Sequence, residues 1–122
     1  MGTILTLQSI LYNDSYAFLG SYTPGYHLFT NDSIEDLERL LDEGTPDRPA
    51  ILALFTDVPG NPQLRIADLP RLRALADLYH FPIILDETVG HYLNVQVLPF
   101  ADIVVSSLTK IFSGMSNVLG GA

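Results

Sequence analysis

The sequence contains no cysteine, which excludes disulfide bonds and thiolate metal sites. Basic residues are also few: six lysines and arginines stand against fourteen acids, which gives a net charge of −8. Binding to nucleic acid needs clustered positive charge, so the composition argues against that class of function. The three histidines, His27, His80 and His91, lack the spacing of metal ligands. We therefore expect neither a metal nor a nucleic acid as a partner.

Long apolar runs are absent as well, and none approaches the roughly 20 residues of a membrane span. No basic segment precedes the mildly apolar residues 3–11, which argues against a signal peptide. Hydrophobic residues nevertheless make up 48% of the 122 residues, enough for one domain with a buried core. We expect a single, soluble, cytoplasmic domain over residues 1–122.

Apolar runs of strand length alternate with segments of helical periodicity. The predicted strands cover residues 3–11, 26–29, 50–55, 82–86 and 102–106, and the predicted helices cover residues 15–21, 34–43 and 68–80. Oxygens of residues 31–33 can cap the start of the second helix, and Gly44 can end it. This alternation predicts an α/β fold with a mostly parallel sheet, flanking helices and right-handed crossovers.

Polar residues end or follow three of the predicted strands: Asp57 and Asn61 follow one, Asp86 ends the next, and Lys110 follows the last. The carboxyl ends of parallel strands meet at the edge where α/β sheets bind ligands, so we expect these groups to gather there. Lys110 is the only lysine in the chain. An amine backed by apolar walls can be desolvated, lose its proton and attack a carbonyl. The alternative is a solvated lysine on a loop.

An aspartate that ends an apolar strand is half-desolvated and needs a cationic partner. For Asp86 that partner is either Lys110, in a structural ion pair, or the protonated ring nitrogen of a pyridine cofactor. Pyridoxal phosphate requires a lysine for its aldehyde, an acid at its ring nitrogen and donors for its phosphate. Ser107, Thr109 and backbone N–H groups could serve the phosphate, and ordinary loop capping explains the two hydroxyls equally well.

Four motifs occur in an order that matches a known family. They are Asp-Val-Pro-Gly-Asn-Pro at 57–62, Leu-Asp-Glu-Thr at 85–88, Ser-Ser-Leu-Thr-Lys-Ile-Phe-Ser-Gly at 106–114 and Asn-Val-Leu-Gly-Gly at 117–121. Through them the segment from about residue 12 to residue 121 resembles the Cys/Met-metabolism family of pyridoxal-phosphate enzymes, and within it the fungal cystathionine gamma-synthases. The intervals between Asn61, Asp86 and Lys110 also suit that family.

The resemblance implies a role for each matching residue. Lys110 would be the Schiff-base lysine and the proton shuttle of the reaction. Asp86 would hold the pyridine nitrogen and so strengthen the ring as an electron sink. Asn61 would face the phenolic oxygen of the ring, and Thr88 would lie beside the ring.

Three further residues complete the implied site. Ser107 and Thr109 would bind the phosphate. Tyr12 would stack on the cofactor and assist proton transfer, although Tyr-Asn-Asp-Ser stands here where the family commonly has Tyr-Gly-Gly-Thr. A turn or packing role is the alternative for Tyr12 and for Asn61.

The resemblance also implies which part of the family fold is present. Residues 1–122 would form an incomplete large domain of a fold-type I enzyme, without the Gly-rich phosphate loop and the smaller C-terminal domain. The implied activity joins an activated homoserine to cysteine, in a homo-oligomer whose subunits complete each other's sites. The alternative is a non-catalytic remnant that acts, if at all, by association with a full-length relative. Exposed apolar strand edges and helix-docking faces in such a chain predict poor solubility or self-association.

Overall fold

A computed structural model describes residues 3–7, 13–22, 26–29, 34–43 and 51–122. The elements in chain order are β1 (Thr3–Leu7), α1 (Asn13–Tyr22), β2 (Tyr26–Phe29), α2 (Ile34–Asp42), β3 (Ile51–Asp57), α3 (Leu69–Tyr79), β4 (Ile83–Asp86), a 3₁₀ turn (Leu98–Phe100), β5 (Ile103–Val105) and a π-helical turn (Leu108–Phe112). The strands form one sheet in the order β2-β1-β3-β4-β5, and every pairing is parallel. The predicted α/β fold with a parallel sheet is confirmed.

Helix α3 begins one residue after its predicted start at 68 and ends one residue before its predicted end at 80. The Asp68 carboxylate accepts the Arg71 N–H at 3.1 Å, so Asp68 is the cap and not the first helical residue. At the other end His80 has a φ of 57°, a left-handed conformation that ends the helix. The predicted caps of α2, at residues 31–33 and at Gly44, lie outside the described residues, as do residues 8–11 of the first predicted strand.

The core lies between one face of the sheet and the helices α2 and α3. Leu54 of β3 and Leu85 of β4 are fully buried on this face, and Leu37 of α2 and Leu72 of α3 belong to the same apolar cluster. Burial of such side chains contributes about 1.5–3 kcal/mol each relative to exposure. This half of the sheet is therefore a stable platform for the residues that follow β3, β4 and β5.

Arg71 joins α3 to α2 at the surface. Its guanidinium donates to both carboxylate oxygens of Glu38 and to Glu35 Oε1 at 2.6 Å. These hydrogen bonds, the one to Glu38 first, hold the pKa of Arg71 above its usual range. The Tyr79 hydroxyl adds a second link by donating to Asp42. The two helices are thus fixed to each other by polar contacts as well as by the core.

The register of the sheet decides which side chains share a face. Asp57 at the end of β3 pairs with Asp86 at the end of β4, and Leu85 pairs with Val104 of β5. Side chains alternate between the two faces of a strand. The carboxylates of Asp57 and Asp86 therefore share one face, and Leu85 and Val104 share the opposite face, which is the core face.

Candidate functional site

One cleft lies at the carboxyl ends of β3, β4 and β5. Its volume is about 500 Å³, within the range of small-molecule sites. Six of the seven predicted site residues line it, namely Asn61, Asp86, Thr88, Ser107, Thr109 and Lys110. The seventh, Tyr12, lies outside the described residues. The structure therefore brings together residues that follow three separate strands.

Thr88 connects the end of β4 to the segment after β5. Its N–H donates to Asp86 Oδ1 at 2.9 Å, and its Oγ1 accepts the Ser107 N–H at 2.8 Å. Asp86 is half-buried, as predicted for an acid that ends an apolar strand. No described residue donates a hydrogen bond to its second oxygen, Oδ2. One oxygen thus orients the carboxylate while the other can accept a donor from a ligand.

Lys110 lies in the π-helical turn, where the helical geometry is interrupted by its φ of −87° and ψ of −111°. Such turns occur frequently at functional sites. In the part of the chain that the structure describes, Lys110 forms no ion pair, with Asp86 or with any other acid. The structural ion pair, one of the two sequence explanations of Asp86, is therefore not formed.

The prediction that apolar walls desolvate Lys110 is wrong. Lys110 is exposed. The apolar residues beside it are exposed too: Ile111 by 51% and Leu119 by 97%. Because neither of them covers the amine, it keeps its contact with water, and the solvated lysine describes its environment better.

The two hydroxyls predicted for a phosphate have different local partners. Thr109 Oγ1 accepts the Gly120 N–H at 3.3 Å, which is a loop-capping contact. Ser107 makes no side-chain hydrogen bond that caps the π-helical turn. The backbone N–H groups of Ser107, Leu108 and Lys110 all donate to protein oxygens. These three backbone N–H groups are therefore already paired within the protein.

Asn61 is exposed on the loop that follows β3. Gly60 closes this loop, because its N–H donates to the Arg65 carbonyl at 2.8 Å and its carbonyl accepts the Leu64 N–H at 2.7 Å. The side chain of Asn61 makes no hydrogen bond to the residues that the structure describes. The backbone turn thus holds Asn61 at the rim of the cleft and leaves its amide for a ligand.

Five further residues line the cleft: Asp57, Pro59, Val89, Ile111 and Leu119. Leu119 lies there because the chain folds back, with Ser106 and Ala122 exchanging two backbone hydrogen bonds of 2.8 and 3.0 Å. No periodic pattern over residues 113–122 indicates this return, so the sequence did not reveal Leu119. For Asp57 the sequence indicates a polar residue at a strand end and no specific role.

The described residues offer neither a membrane span nor a metal site. Over the described ranges no helix is long and apolar enough to cross a membrane. Those ranges also hold no group of three or more histidines, cysteines or acids that could bind a metal ion. The cleft at the sheet edge is therefore where we place the candidate chemistry.

Comparison with known proteins gives a consistent result along the whole chain. The model of the Cys/Met metabolism PLP-dependent enzymes matches residues 1–122. The chain is 50% identical over 118 residues to a cystathionine gamma-synthase-like enzyme, iboG1, of Amanita muscaria, and 49% identical over 114 residues to cystathionine gamma-synthase of Neurospora crassa. These alignments cover 92% and 90% of this chain but 20% and 18% of the two relatives. The chain thus spans about a fifth of the length of the curated relatives it matches.

Solved structures agree with the fold. A structure from Campylobacter jejuni, provisionally assigned as an O-acetylhomoserine (thiol)-lyase, aligns with a TM-score of 0.81 and 25% identity over 98% of this chain and 29% of its own. That structure holds an N'-pyridoxyl-lysine-5'-monophosphate. The metB structure from Corynebacterium glutamicum aligns with a TM-score of 0.81 at 22% identity, over 98% of this chain and 31% of its own, and shows the same fold.

Proposed function

The chain belongs to the Cys/Met-metabolism family of PLP-dependent enzymes, and from this membership we propose that residues 1–122 form part of the cofactor-binding large domain of a transsulfuration enzyme. The proposed reaction is of the cystathionine gamma-synthase type, in which the γ-substituent of an activated homoserine is replaced by the sulfur of cysteine. The names of the relatives support this reaction type. Domain and activity are both proposals, because the chain spans about a fifth of the length of those relatives.

The observation that carries the proposal is the cleft shared by Asp86 and Lys110. An acid and an amine that line one small site would ordinarily form an ion pair, and these two do not. Each is therefore available to a ligand that offers a cationic donor at one end and an electrophile at the other. A pyridine aldehyde has both groups, on opposite sides of one ring.

The other residues of the cleft fit the same cofactor in part. Pyridoxal phosphate also presents a phenolic oxygen and a phosphate, and the cleft offers the amide of Asn61 and the hydroxyls of Ser107 and Thr109. The volume of about 500 Å³ is ample for a ligand of this size. The donor set thus fits the ring well, and it offers the phosphate two neutral hydroxyls.

The protein groups have separable tasks in the proposed site. When bound, the cofactor supplies an aldehyde that can join an amine and a ring that withdraws electrons from the substrate. Lys110 Nζ would bind the aldehyde end and then carry protons between substrate carbons. Asp86 Oδ2 would accept the pyridine N–H and keep that proton on the ring, while Oδ1 stays bound to the Thr88 N–H.

The remaining residues would position the ring. Asn61 would donate its amide to the phenolic oxygen, and Thr88 would lie beside the ring while it fixes Asp86 and Ser107. The hydroxyls of Ser107 and Thr109 would donate to the phosphate. Tyr12 keeps its proposed stacking role on the strength of the family resemblance alone.

A second candidate function is a non-catalytic remnant that acts by association with a longer relative. The specific observation in its favour is charge: among the described residues that line the cleft, Lys110 is the only cation. A dianionic phosphate and a substrate carboxylate would then face few positive groups, which weakens binding of both. Under this reading Lys110 persists in the chain without turnover by these residues alone.

Titration of the chain with pyridoxal phosphate separates the two candidates. If the site forms, a visible absorption band develops, and borohydride reduction leaves a pyridoxyl group on Lys110. Since Lys110 is the only lysine, mass spectrometry of its peptide locates the group without ambiguity, and modification of the terminal amine is counted separately.

Two matched variants complete the experiment. Lys110→Ala removes the amine, and Arg39→Ala removes an exposed cation on α2, outside the residues that line the cleft. We expect the first variant to lose the band and the second to keep it. If a chain that circular dichroism shows to be folded gives no band with excess cofactor, cofactor binding is contradicted. The non-catalytic remnant is then the remaining candidate.

A further inference from the structure

Glu87 follows directly after β4 and lies on the face of the sheet opposite to Asp86, because successive side chains alternate. Its N–H donates to the Val105 carbonyl at 3.0 Å, which continues the pairing of β4 with β5. Its side chain therefore lies on the same side as Leu85 and Val104, away from the cleft of Lys110. The proposed function leaves Glu87 without a task.

Glu87 lines a second cavity of about 380 Å³. The other lining residues are Tyr92, Val95, Gln96, Val97, Leu98, Pro99 and Val104, so its walls are almost wholly apolar. None of these residues lines the first cleft. The two cavities are therefore separate sites on opposite faces of one sheet edge.

Glu87 is only 5% exposed, yet no described residue forms a hydrogen bond or an ion pair with its carboxylate. A carboxylate inside a mostly apolar cavity keeps only part of its hydration, and acids that are this deeply buried are normally paired. A ligand that brings a positive donor into this cavity would supply such a partner. The apolar walls select a cation that carries an apolar stem.

We propose that this cavity binds an arginine side chain of a partner polypeptide, with its guanidinium on the Glu87 carboxylate. A guanidinium is favoured over an ammonium because it is more weakly hydrated, donates two parallel hydrogen bonds to a carboxylate and stacks on aromatic rings. Tyr92, which lines the cavity and is 58% exposed, offers such a ring at the rim.

The surroundings of the cavity favour a polypeptide over a small cation. Leu98 in its wall is 78% exposed, and Leu93 in the same loop segment is 76% exposed. A small cation inside the cavity would leave this apolar surface in water, whereas apolar residues on either side of an arginine would cover it. The net charge of −8 also favours a basic partner over a second copy of this chain.

The test titrates the chain, without cofactor, with three capped probes followed by amide NMR: the tripeptide Leu-Arg-Leu, the same tripeptide with neutral citrulline in place of arginine, and N-acetyl-arginine methylamide. We expect the arginine tripeptide to shift the amides of residues 87–104. The citrulline tripeptide should bind at least about tenfold more weakly, since it lacks the charge. The capped amino acid should also bind more weakly than the tripeptide, since it cannot cover the rim.

Glu87→Gln, a neutral isostere, should weaken the arginine tripeptide about tenfold, and Glu43→Gln, an exposed change of the same charge, should not. Equal binding of the arginine and citrulline tripeptides to the parent chain overturns the proposal, because the cavity then takes apolar side chains without regard to charge. Binding of neither tripeptide overturns it as well and leaves a cavity that holds water only. This comparison needs no variant, so it decides even if Glu87→Gln fails to fold. Binding of the capped amino acid as tight as that of the tripeptide also overturns it and assigns a small cation. Neither outcome affects the cofactor proposal, whose band arises in the other cleft.

Discussion

Thr88 Oγ1 accepts the backbone N–H of Ser107 at 2.8 Å, and this single contact ties the end of β4 to the segment that carries Lys110. The same residue orients Asp86 through its own N–H. Asp86 and Lys110 must keep a fixed separation if they are to hold opposite ends of one ring. Thr88 contributes to that separation together with the pairing of β4 and β5, because its N–H binds the acid and its hydroxyl binds the segment that leads to the amine.

Thr88→Val keeps the shape of the side chain and removes the acceptor. The Ser107 N–H then loses its partner in a half-buried position, which should lower the free energy of unfolding by about 1–3 kcal/mol. We expect the affinity for pyridoxal phosphate to fall as well, because the separation of Asp86 and Lys110 is no longer fixed by this bond. Chemical denaturation and the absorbance titration measure the two effects. Thr88→Ser, which retains the hydroxyl, should recover most of both, and no recovery would argue against the hydrogen bond as the cause.

Asp86→Asn tests the proposed contact with the pyridine nitrogen. The asparagine carbonyl can still accept the Thr88 N–H, so we expect the free energy of unfolding to change little. Loss of the negative charge should weaken binding of pyridoxal phosphate by at least about tenfold, as is typical for a charged hydrogen bond. The absorbance titration measures this change, and Glu43→Gln, with the same loss of charge at an exposed site, is the control. If the two variants bind the cofactor equally well, Asp86 does not hold the ring.

The strands were predictable because their physical causes are local. The predicted strands at 50–55 and 82–86 are largely apolar, of strand length and followed by turn-forming residues, and β3 and β4 lie at these positions. Parallel pairing then follows from the alternation with helices. The gathering of Asn61, Asp86 and Lys110 at one cleft is a consequence of the same rule, since parallel strands all end at one edge.

The features that sequence reasoning missed depend on non-local packing. Exposure of Lys110 depends on whether other segments cover it, and no pattern around the residue reports that. The return of the chain that brings Leu119 to the cleft is fixed by backbone pairing of Ser106 with Ala122, which leaves no periodic signal. The second cavity at Glu87 was missed because an acid beside Asp86 reads as part of the same motif until the sheet places the two on opposite faces.

Gly90 fixes the loop after β4 against the loop after β3. A Cβ at this position would lie 2.6 Å from the Val58 carbonyl oxygen and 2.7 Å from Val95 Cγ2, so a side chain cannot be accommodated without a shift of backbone. Gly90→Ala should therefore lower the free energy of unfolding by about 1–3 kcal/mol. Gly20→Ala is the control: it lies in α1 with nothing within 4 Å, and it should stabilise by about 0.5–1 kcal/mol. Similar effects of the two changes in denaturant titrations would contradict the close approach.

Asp102 should make folding stability depend on acid pH. Asp102 accepts a hydrogen bond of 2.8 Å from the Arg73 guanidinium and one of 2.7 Å from the Ile83 N–H. These bonds, of which the one from Arg73 has the larger effect, lower the pKa of Asp102 below its usual 3.8. An acid whose pKa is lower in the folded state binds protons more readily when unfolded. Its stabilising contribution is therefore complete above pH 3.8 and is lost as the pH falls through the folded value.

Denaturant titrations between about pH 2 and pH 6 would measure this effect as a difference between the parent chain and Asp102→Asn. We expect the parent to be more stable than the variant at pH 6 and the gap to narrow below about pH 4. Arg73 keeps an ion pair with Asp77 in the variant, at 2.7 Å, so the comparison isolates Asp102. A gap that stays constant over the whole range would show that Asp102 has no lowered pKa in the folded state.

The sheet edge at β5 should make the chain associate with itself. Among the described strands β5 pairs only with β4, and its residue Ile103 is 51% exposed. Phe112 and Leu119, which follow β5 in the chain, are 65% and 97% exposed, so this part of the chain presents further apolar side chains to water. We expect sedimentation velocity to show species larger than a monomer, in proportions that rise with concentration.

Ile103→Lys should shift the distribution towards monomer, because a charge on an edge strand opposes pairing with another edge. Leu78→Lys, on the exposed side of α3, should leave the distribution unchanged. A concentration-independent monomer in the parent chain would show that this edge is protected in solution.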